Sequence, residues 1–308
     1  MDKQYILDNT VLLVRGGSRA YGIHNPLSDE DLRGVVCVGP EYYMGLKAFE
    51  QFEGFDDDQV RFDLRKFIIL AVACNPNIIE LLFVDPSDIL ECTKVGEALM
   101  AIRESFLSLK AKHTFTGYAM SQLKRIQSKY RWITNPPATQ PEQADFYREP
   151  RNEVEMGLLA KGTKIYDKEA YQKARHDWAN YQQWLNERNP ARKELETKYG
   201  YDTKHAMHLM RLLRMGREIM VEGIVRTRRP DADELFAIRH GSMKYEDLVG
   251  TASGEMAYID SLYEEYKSGE KTPPVPMKPN HEKIHRIAIG LALEHWRYKG
   301  WLTGKLEY

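Results

Sequence analysis

Apolar residues in this chain fall into short dense runs near its start and into helix-spaced stripes through its second half. Val11 to Val14 is an uninterrupted apolar run that meets Gly16-Gly17-Ser18, the mark of an element entering a tight turn. Residues 5–15 therefore read as a short helix or strand, followed by a loop through Asn25-Pro26 and a strand over 31–38, where Val35-Val36-Cys37-Val38 is largely β-branched. Val60, Phe62 and Leu64 alternate with Arg61, Asp63 and Arg65, the period of a strand with two unlike faces. A hairpin joining 47–53 to 59–65 through Gly54-Phe55-Asp56-Asp57-Asp58 follows from that acid and glycine cluster. From Arg65 to Ala73 and from Ile78 to Phe83 apolar residues are too dense for alternation and predict buried helices, broken at Asn75-Pro76.

Helical spacing resumes over 95–109 and 115–130, and the four prolines between Asn135 and Pro150 predict a long loop. Beyond it every periodic segment is helical: near 151–162, 168–186, 190–198, 203–222, 231–238, 253–267 and 280–299, with Thr272-Pro273-Pro274-Val275-Pro276 as a connector before the last. The fold class expected is α+β, with an N-terminal domain of short mixed sheet and flanking helices over 1–130 and a mostly helical domain over 150–308.

At 308 residues the chain exceeds what one small core organises, which supports two domains. Hydrophobic residues at 43% and charged residues at 29% exclude wholesale disorder. No stretch approaches the ~18 apolar residues of a membrane span, and Met1-Asp2-Lys3-Gln4 has no apolar signal core. Cys37, Cys74 and Cys92 are an odd number without Cys-x-x-Cys spacing; a disulfide framework and a cysteine zinc site are disfavoured, and a reducing cytoplasm is expected. The net charge of −1 hides an asymmetry: residues 1–100 hold 17 Asp and Glu against 9 Lys and Arg, so the remainder is net positive. Such a balance gives no general nucleic-acid signal, but the acidic part suits a divalent cation.

Asp29 and Asp31 sit one residue apart, so on an extended strand both project from one face, as a shared divalent cation requires. Asp63, on the later strand pattern, is expected to converge with them. Each feature has a plainer reading: Gly-Gly-Ser as an ordinary turn, Asp29-Glu30-Asp31 as a solvated loop, Asp63 as an outward-facing acid. Their order and spacing point instead to metal-assisted chemistry on a nucleoside triphosphate. On the helix from Thr203 to Glu222, Lys204, His208 and Arg211 fall within roughly 60° of one another at 100° per residue, a cationic stripe that is either a solvated face or a clamp for a triphosphate tail. His205 lies on the apolar side and reads as a core histidine with a satisfied hydrogen bond. Arg19 and Arg33 bracket the acidic pair and either touch phosphate or pair with neighbouring carboxylates. Trp178, Trp184, Tyr171 and Tyr181 either pack in a core or stack on bases.

The pattern of apolar strand, Gly-Ser, about ten residues, Asp-x-Asp and a later strand acid resembles the DNA polymerase β nucleotidyltransferase superfamily. Within it, Gly17-Ser18-Arg19-Ala20-Tyr21-Gly22 and Ser28-Asp29-Glu30-Asp31-Leu32-Arg33-Gly34 resemble the RNA-repair-associated branch of predicted nucleotidyltransferases. Asp63-Leu64-Arg65-Lys66-Phe67, Asn75-Pro76-Asn77-Ile78-Ile79-Glu80-Leu81-Leu82 and Gly200-Tyr201-Asp202-Thr203-Lys204-His205-Ala206-Met207-His208 extend the likeness over most of the chain. Glu30 departs from the superfamily's usual apolar residue and would put a charge on the strand's other face.

The resemblance implies a metal-dependent nucleotidyltransferase that moves an NMP from an NTP, ATP foremost, to a hydroxyl and releases pyrophosphate. It implies two Mg²⁺ or Mn²⁺ ions on Asp29, Asp31 and Asp63, and nucleotide binding by Gly17, Ser18, Arg19, Lys204, His208 and Arg211. An RNA end is the expected acceptor, with DNA as a variant and no membrane partner. The alternatives are nucleotidylation of a protein or small molecule, or a noncatalytic nucleotide-binding module.

Overall fold

A computed structural model describes residues 2–302 except 27, 55–57 and 159–161. It is α+β, with a mixed five-stranded sheet in the N-terminal part and helices through the rest. In chain order the first elements are α1 (Lys3–Asp8), β1 (Thr10–Arg15), α2 (Gly17–Tyr21), β2 (Leu32–Val36), α3 (Pro40–Tyr43), β3 (Gln51–Phe52), β4 (Gln59–Asp63), α4 (Leu64–Val72), α5 (Pro76–Leu82), β5 (Ile89–Cys92), α6 (Lys94–Ala101) and α7 (Lys110–Thr134). There follow β6 (Tyr147–Arg148), α8 (Glu153–Leu158), β7 (Ile165–Tyr166), α9 (Lys168–Glu187), α10 (Pro190–Tyr199), α11 (Thr203–Glu222), α12 (Ala232–Arg239), α13 (Tyr245–Ser268) and α14 (His281–Tyr298).

The apolar run Val11 to Val14 is β1, buried along its length because it pairs on both edges, antiparallel to β2 and to β5. The sheet order is β3-β4-β2-β1-β5, and β2 runs parallel to β4. The expected hairpin exists: β3 and β4 pair antiparallel, with Gln51 opposite Phe62, while Phe55, Asp56 and Asp57 of its turn lie outside the described residues. The faces of β4 are the reverse of those the alternation suggests, since Arg61 and Asp63 are buried whereas Val60 and Phe62 are half-buried. Gly34 explains how Arg61 fits: the two residues are register partners, and a Cβ on Gly34 would lie 2.4 Å from Arg61 Cδ. Edge strand β5 carries no sequence signal, because Leu90, Glu91 and Cys92 are all exposed.

Asn75-Pro76 breaks the two predicted helices and starts the second, with the Asn75 side chain accepting from Asn77 N at 3.0 Å and Pro76 in the first turn. The predicted helix over 95–109 is α6 followed by a 3₁₀ turn at Arg103–Phe106. Helix α14 packs against α4 and α6, and Trp296 Nε1 donates to Val38 O at 2.8 Å. The segment expected near 151–162 begins as α8, and its residues 159–161 lie outside the described part.

The chain forms two compact units, Met1–Leu123 with His205–Tyr308, and Lys124–Lys204. The sequence division, at 130 and 150, instead groups everything after the proline-rich loop together. In the first unit the core joins segments far apart in sequence through one buried polar group. Glu80, between apolar neighbours on α5, accepts from Tyr21 Oη at 2.5 Å and from Arg211 Nη1 at 2.7 Å. The Arg211 guanidinium lies 3.8 Å from the Tyr21 ring centroid, and Thr227 Oγ1 donates to Glu80 O at 2.8 Å.

Removing one member of a buried ion pair strands the other. Arg211→Met should therefore lower the free energy of unfolding by about 3–5 kcal/mol in urea denaturation. Adding Glu80→Leu to it should cost less than the sum of the two single changes, because the pair is lost together.

Candidate functional site

The turn after β1 and the segment entering β2 meet edge to edge. Gly16 N donates to Asp31 O at 2.8 Å, which continues the β1–β2 pairing one step past Arg15–Leu32. Gly17 has φ of +59°, and a Cβ there would fall 1.7 Å from Asp31 Oδ2. Glycine is thus required twice at this position, by the backbone angle and by the approach of the carboxylate. Ser18 is half-buried in the first turn of α2. Arg19 anchors the loop through Nη2 to Ser28 O at 3.0 Å, while its buried Nε has no hydrogen-bond partner.

Asp31 does not stand alone. Because β2 and β4 are parallel, with Leu32 opposite Gln59, the residue before Gln59 arrives beside Asp31. That residue is Asp58, whose carboxyl hydrogen-bonds with the Asp31 carboxyl. Burial, the bond to Asp58 and the charges of Asp58 and Asp29 raise the Asp31 carboxyl to about 6 against the opposing pull of Arg33. Arg33 Nη2 lies 3.1 Å from Asp58 Oδ1 and 3.6 Å from Asp31 Oδ1, so it takes the carboxylate-pairing role. Glu30 points away, 2.6 Å from Arg15 Nε on a half-solvated face. Asp29 is exposed, just ahead of the pair.

Asp63 is the correction. It pairs with Val36 at the far end of β4, five residues beyond Asp58. At ~3.3 Å per residue that is about 16 Å along the strand, and an odd step also turns the side chain to the other face. There it caps α4, accepting from Arg65 N at 3.0 Å and Lys66 N at 3.3 Å, and it takes the Tyr43 hydroxyl at 2.6 Å. Burial raises its carboxyl despite those donors. Two aspartates of the predicted trio are thus neighbours, and the third acid brought to them is Asp58. Its signal was the acidic run before β4, which reads locally as a turn.

The predicted cationic stripe also divides. Arg211 is buried on Glu80 and Tyr21 and is not available to a triphosphate. Lys204 and His208 are half-buried on α11, and Lys204 belongs to the 124–204 unit. His205 is buried, with Nδ1 2.7 Å from Gln122 Oε1, as expected of a core histidine.

Among the described residues no three His, Cys, Asp or Glu side chains are grouped as a ready metal cluster. The contact of Asp31 and Asp58, with Asp29 close enough to act on Asp31, nevertheless concentrates hard oxygen donors against a glycine backbone. Such a donor set suits Mg²⁺ or Mn²⁺.

Residues 3–140 match the family described as RNA repair pathway DNA polymerase beta. No curated protein and no solved structure matches the chain. Among the described residues no helix is long and apolar enough to cross a membrane.

Asp63→Ala removes a helix cap and strands the Tyr43 hydroxyl, and should cost about 2–4 kcal/mol in thermal or urea unfolding. Folded Asp63→Ala should still bind Mn²⁺ like the parent in a calorimetric titration. A stable variant that has lost Mn²⁺ would return Asp63 to the site.

Proposed function

We propose that this chain, whose residues 3–140 match the RNA repair pathway DNA polymerase beta family, is a metal-dependent nucleotidyltransferase acting on an RNA end. The observation that carries the reading is the Asp31–Asp58 contact beside the Gly17 turn, with Asp29 adjacent. Asp29, Asp31 and Asp58 would hold the cations. A divalent cation bound there neutralises phosphate charge and lowers the pKa of an acceptor hydroxyl.

The chain's own groups then have separate tasks. Backbone amides around Gly17 and the Ser18 hydroxyl hold the β and γ phosphates, and Arg19 Nε, without an internal partner, supplies a further donor. Held this way, the α-phosphorus faces the acceptor for in-line attack. The acceptor oxygen bonds to the α-phosphorus, the bond to the β-phosphate bridging oxygen breaks, and pyrophosphate leaves. Asp58, with 59% of its side chain exposed against 27% for Asp31, is the better placed carboxylate to take the hydroxyl proton. Arg33, paired with both carboxylates, would give them up to a bound cation. Three free cysteines fit a reducing cytoplasm as the place of action.

The reading is tested by transfer from each α-labelled NTP, with Mg²⁺ or Mn²⁺, to 3′-OH RNA, tRNA, DNA and total cell protein. Label should reach RNA, and Asp29→Asn/Asp31→Asn should abolish it while the fold persists. Asp58→Asn should cost roughly a hundredfold or more, and Ser18→Ala about one to two orders of magnitude, the scale of one lost stabilising donor. Label on protein alone would move the assignment to protein nucleotidylation.

Proton and cation compete for Asp31, whose carboxyl titrates near pH 6. Mn²⁺ affinity should be flat above about pH 7 and weaken up to about tenfold per unit below pH 6, read by calorimetry. In Asp58→Asn the onset should move to lower pH, because the neighbouring acid that raises Asp31 is gone.

A further inference from the structure

A cleft of about 530 Å³ lies wholly within the 124–204 unit, where a two-stranded ribbon meets the first half of α9. Tyr147 and Tyr166 are register partners of β6 and β7, so their rings stand on one face of the ribbon, 5.4 Å apart. Asp167 then turns the chain into α9: its N donates to Phe146 O at 2.8 Å, and its carboxylate caps the helix by accepting from Ala170 N at 3.0 Å. The turn brings Tyr171 within 6.2 Å of Tyr166, centroid to centroid, and both rings line the cleft. Lys168, Gln172 and Arg175 follow one another at i, i+4 and i+7, and with Tyr171 and His176 they span roughly 140° of the helix at 100° per residue. The side chains of Lys168, Gln172, Arg175 and His176 are exposed.

Among the described residues no carboxylate lines this cleft. The acids close to it in sequence face other cations: Asp167 lies 3.5 Å from both Arg148 and Arg151, and Asp177 lies 3.8 Å from Arg131. Lys168 and Arg175 have no ion pair among the described residues, and the Arg175 guanidinium lies 5.9 Å from the Tyr171 centroid. The unmet demand is thus for negative charge beside flat rings. An acidic peptide answers the charge but not the rings. A free nucleotide answers both, yet solvent screens exposed cations and each adds little to the hold on one phosphate. A strand gains from several phosphates at once, through release of its counterions. Residues 124–204 carry 16 Lys and Arg against 12 Asp and Glu, a balance that suits such a polyanion. In a duplex the base faces are stacked on each other and closed to the tyrosines, whereas an unpaired base offers its face.

We infer that this cleft binds single-stranded nucleic acid, with a base against Tyr166 and the sugar–phosphate backbone along Lys168 and Arg175. The amides of Gln143 and Gln172 each both donate and accept, so they match the edge of any base and the binding is sequence-tolerant. The inference goes beyond the nucleotidyltransferase reading and needs neither turnover nor a cation.

The test is fluorescence anisotropy of the full chain, without NTP or divalent cation, against a short 5′-labelled unstructured RNA, the same sequence as DNA, and each in duplex form. The single strand should bind about tenfold or more tighter than its duplex, the scale of one stacked base. Lys168→Gln/Arg175→Gln removes two exposed charges and should lower the slope of log affinity against log salt by about 1.4, ~0.7 for each single-strand phosphate contact. Tyr166→Leu should weaken the strand about tenfold or more, whereas Tyr166→Phe keeps the ring and should bind like the parent. Circular dichroism checks that each variant is folded, and the charge variant decides the matter if Tyr166→Leu is not. Duplex bound as tightly as the strand, an unchanged salt slope in the charge variant, or displacement of the strand by equimolar AMP overturns the inference, as does the absence of strand binding. Equal binding of RNA and DNA assigns the cleft to strands of either sugar, and tighter RNA assigns it to RNA; both uphold it. Strand binding without nucleotide transfer removes the catalytic reading alone, and transfer without strand binding at this cleft removes this inference alone.

Discussion

A carboxylate in a core must be answered by a cation and by donors, and in this protein that requirement fixes where the glycine turn after β1 sits. Glu80 on α5 is buried, and the groups that answer it come from α2 and α11. Tyr21 is the last residue of the helix that begins at Gly17. Its hydroxyl is held by Glu80, its ring lies against Arg211, and its carbonyl accepts from Arg229 N at 3.1 Å. Burial raises the tyrosine's pKa strongly, with the Glu80 charge adding to it and Arg211 opposing, so the phenol stays a donor. Tyr21 lies four positions after Gly17, about one helical turn. The position of the Gly17 backbone against Asp31 is therefore set by a pair formed across 131 residues of chain, and helix α11 belongs to the first unit's architecture through that contact.

That distance also explains what could and could not be read from the sequence. Val11 to Val14, the glycine turn and Asp29-x-Asp31 are local signals; the structure makes the first β1, sets the turn at its end and puts the two aspartates just ahead of β2, with Gly16 N on Asp31 O. The helix breaks at Asn75-Pro76 and the long helix from Thr203 were equally local. Alternation over 60–65 correctly marked a strand, but it cannot say which end of a strand faces the site. Parallel pairing with β2 brings Asp58 to Asp31 and carries Asp63 away, and pairing is a tertiary fact. Polarity misled in the same manner on β4 and α11. Arg61 is accommodated by the missing side chain of Gly34, and Arg211 by Glu80, so both charged residues are inside. Neither partner is visible in a window around the residue itself. Edge strand β5 had no periodicity to show, since three of its four residues face solvent.

At the acidic cluster the charge of the aspartates is answered by an arginine. Two carboxyls in hydrogen-bond contact, with a third acid nearby, cannot all ionise freely, and Asp31 takes up the strain as a carboxyl titrating near 6. Arg33 relieves part of it from the same strand, one residue beyond Leu32, by bonding the Asp58 carbonyl at 2.7 Å and reaching both carboxylates. A guanidinium spreads one positive charge over a plane, whereas a divalent ion carries two on a single centre. In the proposed cation complex the exchange would favour the carboxylates and would free an arginine that is 24% exposed. Arg33 would then stay available to the proposed chemistry. Its tether to the Leu32 and Asp58 carbonyls keeps it at the mouth of the site, where negative charge on a bound triphosphate would replace the carboxylates as its partner.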